Sequence, residues 1–340
     1  MQRSTVGLVV IGRNEGQRLH QCLLSVIKKV ESIVYVDSGS TDGSIEMARS
    51  SGVEVVELDL SIPFTAARAR NEGVTCLLQI NPQIEFIQFV DGDCEVAGQW
   101  LEKAHTVISQ QSEVAVVCGR RRERYPEQSV YNLLCDLEWD TPVGETKECG
   151  GDSMMRVSAF QQVGGFNPSL IAGEEPELCL RLRQQGWKIL RIDAEMTLHD
   201  AQITRFSQWW RRALRSGYAY AEGFWLHGKT DERYCFKETK SIWLWGAIVP
   251  TSVLTLFWLS NGWSLLLLLA YPSIGWKIYR YFHQSRGFTT KNSWLYAISC
   301  MLIKFPQLQG QIQFLIGKLL GRQNKLIEYK YPDANLDSVK

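Results

Sequence analysis

The stretch "EFIQFVDGDCEV" (residues 85–96) carries two opposed signals within a few positions. Its first six residues are a mostly apolar run of the kind that makes a buried strand. It then stops on Asp91-Gly92-Asp93, two carboxylates about one glycine, where repulsion and desolvation both work against them. A divalent cation resolves that conflict, because hard cations take carboxylate oxygens and keep waters and substrate phosphates as further ligands. An Asp-Gly turn in solvent is the plainer reading of the same residues. A calcium loop is excluded, since the later Asp/Asn, Gly and Glu of an EF-hand are missing.

Outward from this stretch, runs rich in β-branched residues at 6–12, 32–37, 53–58 and 85–90 predict strands. Between the first two, Leu19, Cys22, Leu23, Val26, Ile27 and Val30 mark one helical face. Further helices are predicted over Ser44–Ser51, closed by Gly52, over Phe64–Leu78, over Trp100–Ser109 and after Pro176. Strands alternating with helices predict an α/β chain with a mostly parallel sheet covered on both faces. Ligands of such sheets bind beyond the carboxyl ends of the strands, where Asp37 and the Asp91/Asp93 pair fall. "VVIGRNEGQRL" (9–19), "VYVDSGSTDGS" (34–44) and "FTAARARNEG" (64–73) surround the same face. Singly, Asn14 is a helix cap, Ser38–Gly43 a turn, and Arg68 with Arg70 a solvated helix face. Together they set Asp37 at a strand end and Arg70 where a guanidinium meets phosphates. A nucleotide diphosphate bridged to the protein by a metal would use every one of these groups.

Composition narrows the classes. The chain has 340 residues and a formal net charge of +1, which gives no case for a nucleic-acid partner. Nine cysteines with no C-x-x-C spacing read as reduced thiols rather than a disulfide frame or a zinc site. Val6–Ile11 is too short for the apolar core of a signal peptide, so the amino-terminal part is expected in the cytoplasm.

The set "VVIGRNE", "VDSGSTDGS", "ARARNEG" and "DGD", in that order and spacing, resembles the amino-terminal half of family-2 glycosyltransferases, which have the GT-A fold. The resemblance continues through "GGDSMMRVSAFQQVGGFNPSLIAGEEPELCLRLRQQGWKI" and covers residues 5–220. It implies transfer of a sugar from a UDP-, GDP- or dTDP-sugar with inversion at the anomeric carbon. It implies a donor site of Arg13, Asn14, Glu15, Asp37, Ser40, Arg70, Asp91, Gly92 and Asp93, with Asp37 contacting the base. Asp91 and Asp93 match the metal-binding D-x-D, with Mn2+ or Mg2+ equally suited to oxygen ligands. "GEEPEL" (173–178) matches the G-E-D-x-x-L pattern that carries the catalytic base. Glu175 stands where Asp is usual, with Glu174 as the fallback, although acids around Pro176 equally suit a helix amino terminus. His199 is either a third metal ligand or a structural histidine. Gly151 and Asp152 match a segment near the acceptor. "QWWRR" (208–212) departs at Arg212 from the Q-x-x-R-W of processive synthases, which argues for single transfer, with Trp209 and Trp210 either lining an acceptor groove or sitting at the membrane surface.

One region breaks the soluble pattern. From Ser241 to Trp276 there is no charged residue, and Ile242–Ser260 alone is 19 residues long. A crossing needs roughly 20 apolar residues, so a transmembrane hairpin is expected over 241–282, turning at Asn261-Gly262. Flanking tryptophans suit an interfacial belt, and Lys277, Arg280, Arg286 and Lys291 without an acid set the following loop on the cytoplasmic side. Leu308, Ile312, Leu315, Ile316, Leu319 and Leu320 share a face beside Lys318, Arg322 and Lys325, which reads as an interfacial amphipathic helix in contact with membrane lipids, or as an ordinary packing helix. The expected organisation is a donor-binding half (1–125), an acceptor and catalytic half (126–235), the hairpin (241–282) and interfacial helices with a tail (293–330). A glycan or lipid-linked acceptor at the cytoplasmic face of the inner or plasma membrane follows as an expectation from the anchor. A polyprenyl-phosphate sugar synthase and a non-catalytic membrane scaffold of the same fold are the alternatives.

Overall fold

A computed structural model of the protein describes residues 5–321. These residues divide into two compact units, one of residues 5–125 and 138–202, the other of 126–137 and 203–321. The first unit runs β1 (Val6–Gly12), α1 (Gln17–Val26), β2 (Ser32–Asp37), α2 (Ser44–Ser50), β3 (Glu54–Glu57), α3 (Ala66–Ile80), β4 (Phe86–Asp91), β5 (Cys94–Val96), α4 (Trp100–Gln110) and β6 (Val114–Glu123). After α5 (Val130–Trp139), which leads back into it, come β7 (Gly144–Thr146), β8 (Ser153–Arg156), α6 (Val157–Gln162), α7 (Glu174–Gln184) and β9 (Lys188–His199). From β1 to β4, at α4 and at α7 these elements match the sequence expectation to within a few residues, whereas β5 to β8, α5 and α6 carried none.

The strands form one sheet in the order β3-β2-β1-β4-β8-β6-β9-β5, with β7 on β9. From β3 to β4 all pairing is parallel, whereas β8 runs antiparallel to both β4 and β6. The sheet is therefore parallel in its amino-terminal part and mixed beyond it. The core explains the strand sequences. Leu8, Val9, Val10, Val34, Val36, Ile87 and Phe89 are fully buried, as strands covered on both faces must be. Leu19, Cys22, Leu23 and Val26 of α1 are fully buried too, the helical face read from the sequence.

α3 lies so close to β1 and β2 that a Cβ on Gly73 would stand 2.4 Å from Val9 Cγ1 and 3.0 Å from Val36 Cγ2. That contact presses α3 onto the sheet and carries Arg70, one turn earlier, to the strand ends.

The second unit holds α8 (Phe206–His227), α9 (Phe236–Trp243), α10 (Val249–Leu256), α11 (Ala270–Arg280), α12 (Thr290–Leu302) and α13 (Lys304–Leu319). α8 and α13 touch through glycines: a Cβ on Gly310 would lie 2.0 Å from Leu214 O, and one on Gly217 2.1 Å from Gln307 O. The expected membrane spans are corrected here. No helix among the described residues is long and apolar enough to cross a membrane. The first apolar leg is split by a π turn at Leu244–Ile248, and the return leg starts as a 3-10 segment at Trp263–Leu269. Pro250 has no N–H with which to continue the α ladder, and the π turn sits directly before it.

α13 buries Pro306, Gln307, Gly310, Gln311 and Phe314, and leaves Ile312, Ile316, Leu319 and Leu320 of its expected apolar face exposed. Arg322 and Lys325, expected to accompany that face, lie outside the described residues.

Gly73→Ala should cost about 1–3 kcal/mol, the usual penalty of overpacking a filled core. The urea midpoint should fall without a change in slope, since the exposed surface on unfolding is unchanged.

Candidate functional site

The site gathers where β1, β2 and β4 end, all within the first unit. Asp91 is the last residue of β4, paired with Ile11 of β1, and Gly92 N donates to Ile11 O at 2.8 Å. A Cβ at Gly92 would stand 3.1 Å from that same carbonyl, so the glycine lets the strand end tuck against β1.

Arg70 is at the centre. Its side chain is 3% exposed and its Nη2 donates to Asp91 Oδ1 at 2.8 Å. Nη1 donates to Glu174 Oε1 at 2.9 Å and lies 3.1 Å from Glu175 Oε1. Burial alone would lower its pKa, but Glu175, Asp91 and Glu174 together outweigh it and hold the guanidinium charged. Arg70 is thus a buried cation tying three acids, neither the solvated helix face of its plainer reading nor, as it stands, a guanidinium open to phosphates. Gly151 packs on this knot: a Cβ there would meet Arg70 Nη2 at 2.6 Å and Asp91 Oδ2 at 2.8 Å.

Asp152 is fully buried and works from behind. Its Oδ1 accepts from Asp91 N at 3.0 Å, and its Oδ2 accepts from Thr197 Oγ1 at 2.6 Å. Arg121 Nη2 lies 2.9 Å from Asp152 Oδ2 and 3.5 Å from Asp91 Oδ2. Asp91 is therefore held between two guanidinium groups. Asp93 meets His199 instead, with Oδ2 3.2 Å from Nε2. Antiparallel pairing of Cys94 with His199 sets that contact.

Two clusters bring ligand atoms within 4.8 Å of one another: Asp93, Cys94 and His199, and Asp91, Cys94 and Asp152. Carboxylate oxygens with one imidazole suit a hard or borderline cation such as Mn2+ or Mg2+. Burial, then the neighbouring acids Asp152 and Asp91, pushes the Cys94 thiol up despite Arg121, so it stays protonated and a poor ligand.

Glu174 and Glu175 open α7, after Gly173 in the left-handed region at φ 78°. Their side chains differ in access, 5% exposed for Glu174 and 15% for Glu175. Burial first, then the charge of Glu174, raises Glu175 to about 7, against the pull of Arg70. Glu177 is engaged elsewhere, with Arg181 Nη2 at 2.7 Å.

The other sequence candidates build the rim. Asp37 is 1% exposed, and four donors converge on it. Gly39 N and Ser40 N reach Oδ1 at 2.8 and 2.7 Å, while Tyr35 OH and Ser40 Oγ reach Oδ2 at 2.7 and 2.5 Å. Asn14, at φ 54°, donates its N–H to Ser40 Oγ and accepts from Thr41 N at 2.7 Å. It latches the β1 loop to the β2 loop rather than capping a helix. Arg13 lies over the Phe64 ring at 4.8 Å, and Glu15 pairs with Arg18 at 2.6 Å. Trp209 and Trp210 belong to the second unit. There Trp209 is buried beside Tyr131 and Phe206, and Trp210 Nε1 donates to Gln309 Oε1 at 2.9 Å.

Sequence reasoning missed Arg121, Glu123, Trp139 and Thr197. The available signal was "RRRE" (120–123) at the end of an otherwise apolar strand, where alternation aims Arg121 and Glu123 the same way.

Two measurements probe this arrangement. Arg70→Ala leaves three acids without their buried cation and should cost about 3–5 kcal/mol in denaturant unfolding. Glu175 has the pH signature. Its folded pKa lies above the unfolded value of 4.5, so its contribution to stability is present below that value. It is lost as pH rises toward about 7. Thermal midpoints of the wild type should fall across that window more steeply than those of Glu175→Gln.

Comparison with known proteins agrees with this chemistry. Residues 8–163 match the model of Glycosyl transferase family 2, and residues 135–205 that of the N-terminal domain of galactosyltransferase. The chain is 23% identical over 258 residues to Glycosyltransferase AglE of Haloferax volcanii, covering 72% of this chain and 81% of that one. It is 24% identical over 191 residues to the succinoglycan biosynthesis protein ExoA of Rhizobium meliloti, covering 53% of this chain and 57% of that one. Among solved structures it shares its fold with the mannosyltransferase PcManGT of Pyrobaculum calidifontis, determined with GDP-Man and Mn2+. That match has a TM-score of 0.59 and 16% identity, and covers 94% of this chain and 89% of the other.

Proposed function

From the premise that the chain carries a glycosyltransferase family 2 domain and is a glycosyltransferase, we propose a metal-dependent, inverting transfer from a nucleotide-sugar donor to a hydroxyl of a glycan or lipid-linked acceptor. The observation that carries this reading is the position of Arg70, with Asp91 on one side and Glu174 and Glu175 on the other. Displacement with inversion needs a leaving-group side and a base side, and one guanidinium spans both.

Asp91, Asp93 and His199 are the residues that would hold a divalent cation. When bound, such a cation supplies neutralisation of the charge that builds on a departing diphosphate. The chain's own groups do the rest. Glu175 accepts the acceptor hydroxyl's proton on its carboxylate, since it is the more open of the two acids and its pKa sits near neutrality. Glu174, more buried, keeps the charge of Arg70 engaged and holds Glu175 up. Arg70 stays charged throughout and keeps Asp91 oriented. The paired loops Arg13–Glu15 and Asp37–Thr41 form the wall on the donor side.

The exposed apolar side chains of the second unit are what favours action at a lipid surface, and the cytoplasmic side is proposed from the basic residues Lys277, Arg280, Arg286 and Lys291 alone. The unit's exposed apolar side chains concentrate on the hairpin, where Trp258 is 84%, Leu259 83%, Leu254 73% and Trp263 71% exposed. An apolar patch of this kind with tryptophans at its tip suits shallow seating among lipid headgroups rather than a crossing.

Calorimetry of UDP-, GDP- and dTDP-sugars with and without Mn2+ tests the donor half. One donor should bind only with metal, and Asp93→Ala should abolish the signal; no binding of any donor would leave a non-catalytic scaffold as the reading. Glu175→Gln should lower kcat at least a hundredfold, within the usual range for general-base catalysis. Activity that survives this change would point to a phosphate acceptor, which needs little base. For the wild type, kcat/KM should rise with pH up to about 7 as Glu175 loses its proton.

Co-sedimentation with anionic vesicles tests the hairpin. Trp258→Ser combined with Leu259→Ser should weaken binding by at least tenfold, since two large apolar side chains are withdrawn from lipid.

A further inference from the structure

β6 ends on Arg121 and Glu123, which point to one face, and parallel pairing sets them beside Thr197 and His199 of β9. From that shared face the two side chains take different partners. Arg121 reaches Asp91 and Asp152, while Glu123 stands behind the imidazole of His199.

His199 is buried, and its two ring nitrogens face different carboxylates. Nε2 lies 3.2 Å from Asp93 Oδ2. Nδ1 is buried without a hydrogen-bond partner, 3.8 Å from Glu123 Oε2. That distance is longer than a hydrogen bond, so the present attraction is electrostatic. Glu123 is itself fixed in place, its Oε1 accepting from Tyr125 N and its Oε2 from Ala201 N, both at 3.1 Å. The ring is held on another side by Trp139, edge-on at 4.8 Å, and Trp139 in turn lies under Arg121 at 5.5 Å.

We infer that Glu123 is a positioning residue that draws the ring proton of His199 to Nδ1 and so leaves the Nε2 lone pair for a cation beside Asp93. This rests on the metal-dependent reading above. An imidazole ligates through its unprotonated nitrogen, and the group facing the other nitrogen decides which one that is. Asp93 and Glu123 both accept only, and with a cation beside Asp93 the ring proton is left to face Glu123, which selects the Nδ1–H tautomer. A glutamine there would offer an amide N–H and select the opposite tautomer, while its oxygen could still hold one of the backbone N–H groups. The substitution therefore separates tautomer control from simple loop support.

Mn2+ affinity, read by electron paramagnetic resonance of the free ion, would be compared among wild type, Glu123→Gln, Glu123→Asp and His199→Ala. Glu123→Gln should weaken Mn2+ binding roughly ten- to hundredfold, approaching His199→Ala, and Glu123→Asp should recover part of the loss. In Mg2+-loaded protein with 15N-labelled histidine, His199 should carry its proton on Nδ1 in the wild type and on Nε2 in Glu123→Gln. Unchanged Mn2+ affinity in Glu123→Gln, with His199→Ala weakened, would reduce Glu123 to loop support and overturn the inference. If Glu123→Gln does not fold, the wild-type spectrum decides alone, and a proton on Nε2 overturns it. A wild type that binds no Mn2+ would remove the metal reading, and the inference with it.

Discussion

A buried guanidinium bound to three carboxylates is the constraint on which the site rests. Arg70 lies in the interior of the first unit, where a lone charge would cost several kcal/mol. Asp91, Glu174 and Glu175 make it tolerable, and it makes them tolerable in turn. These acids come from distant parts of the chain, the end of β4 and the start of α7. Their convergence on one side chain is what turns two strand-and-helix segments into a single site. The close fit of Gly73 on Val9 brings Arg70 to this point, and Gly151 packs on the Arg70–Asp91 pair with no room for a methyl group.

The remaining charges follow the same logic from β6, β8 and β9. Asp152 is fully buried and would be intolerable without Arg121, Thr197 and the amide of Asp91. β6 and β9 supply Arg121 and Thr197 from paired positions, and two residues further the same strands supply Glu123 and His199. A slip of β9 by one residue would turn Thr197 and His199 away from Arg121 and Glu123. The two positions of Asp91-Gly92-Asp93 are thereby held differently. Asp91 faces arginines, whereas Asp93 faces an imidazole, so the two carboxylates that look equivalent in sequence sit in unlike fields.

What was legible in the sequence divides along a physical line. The strands and helices of residues 6–110 could be read because burial imposes a period on the chain, and the core of Leu8, Val34 and Phe89 shows that burial. Asp91, Asp93, Arg70 and the Glu174-Glu175 pair could be read because their motifs are local. Arg121 and Glu123 could not, since "RRRE" on a strand has many harmless explanations until β9 is laid beside it. The apolar hairpin was read from hydropathy, which counts residues without asking what helix geometry they take. Pro250 lacks an N–H, and a π turn on one leg and a 3-10 segment on the other interrupt the α ladder.

Asp37 carries the final distinction. Motif membership says that a residue is needed at a place, and leaves open whether it is needed by the substrate or by the loop. With both carboxylate oxygens accepting from Tyr35, Gly39 and Ser40, Asp37 spends its hydrogen-bonding capacity on the turn that Asn14 then latches to β1. The loops that wall the donor side are thus ordered before any donor arrives. A preorganised wall loses little entropy on binding. On this argument the acids of the site fall into two groups. Asp37 and Asp152 are buried and saturated and hold the frame, whereas Asp91 and Glu175 keep partial access to solvent and are the ones positioned to meet a substrate.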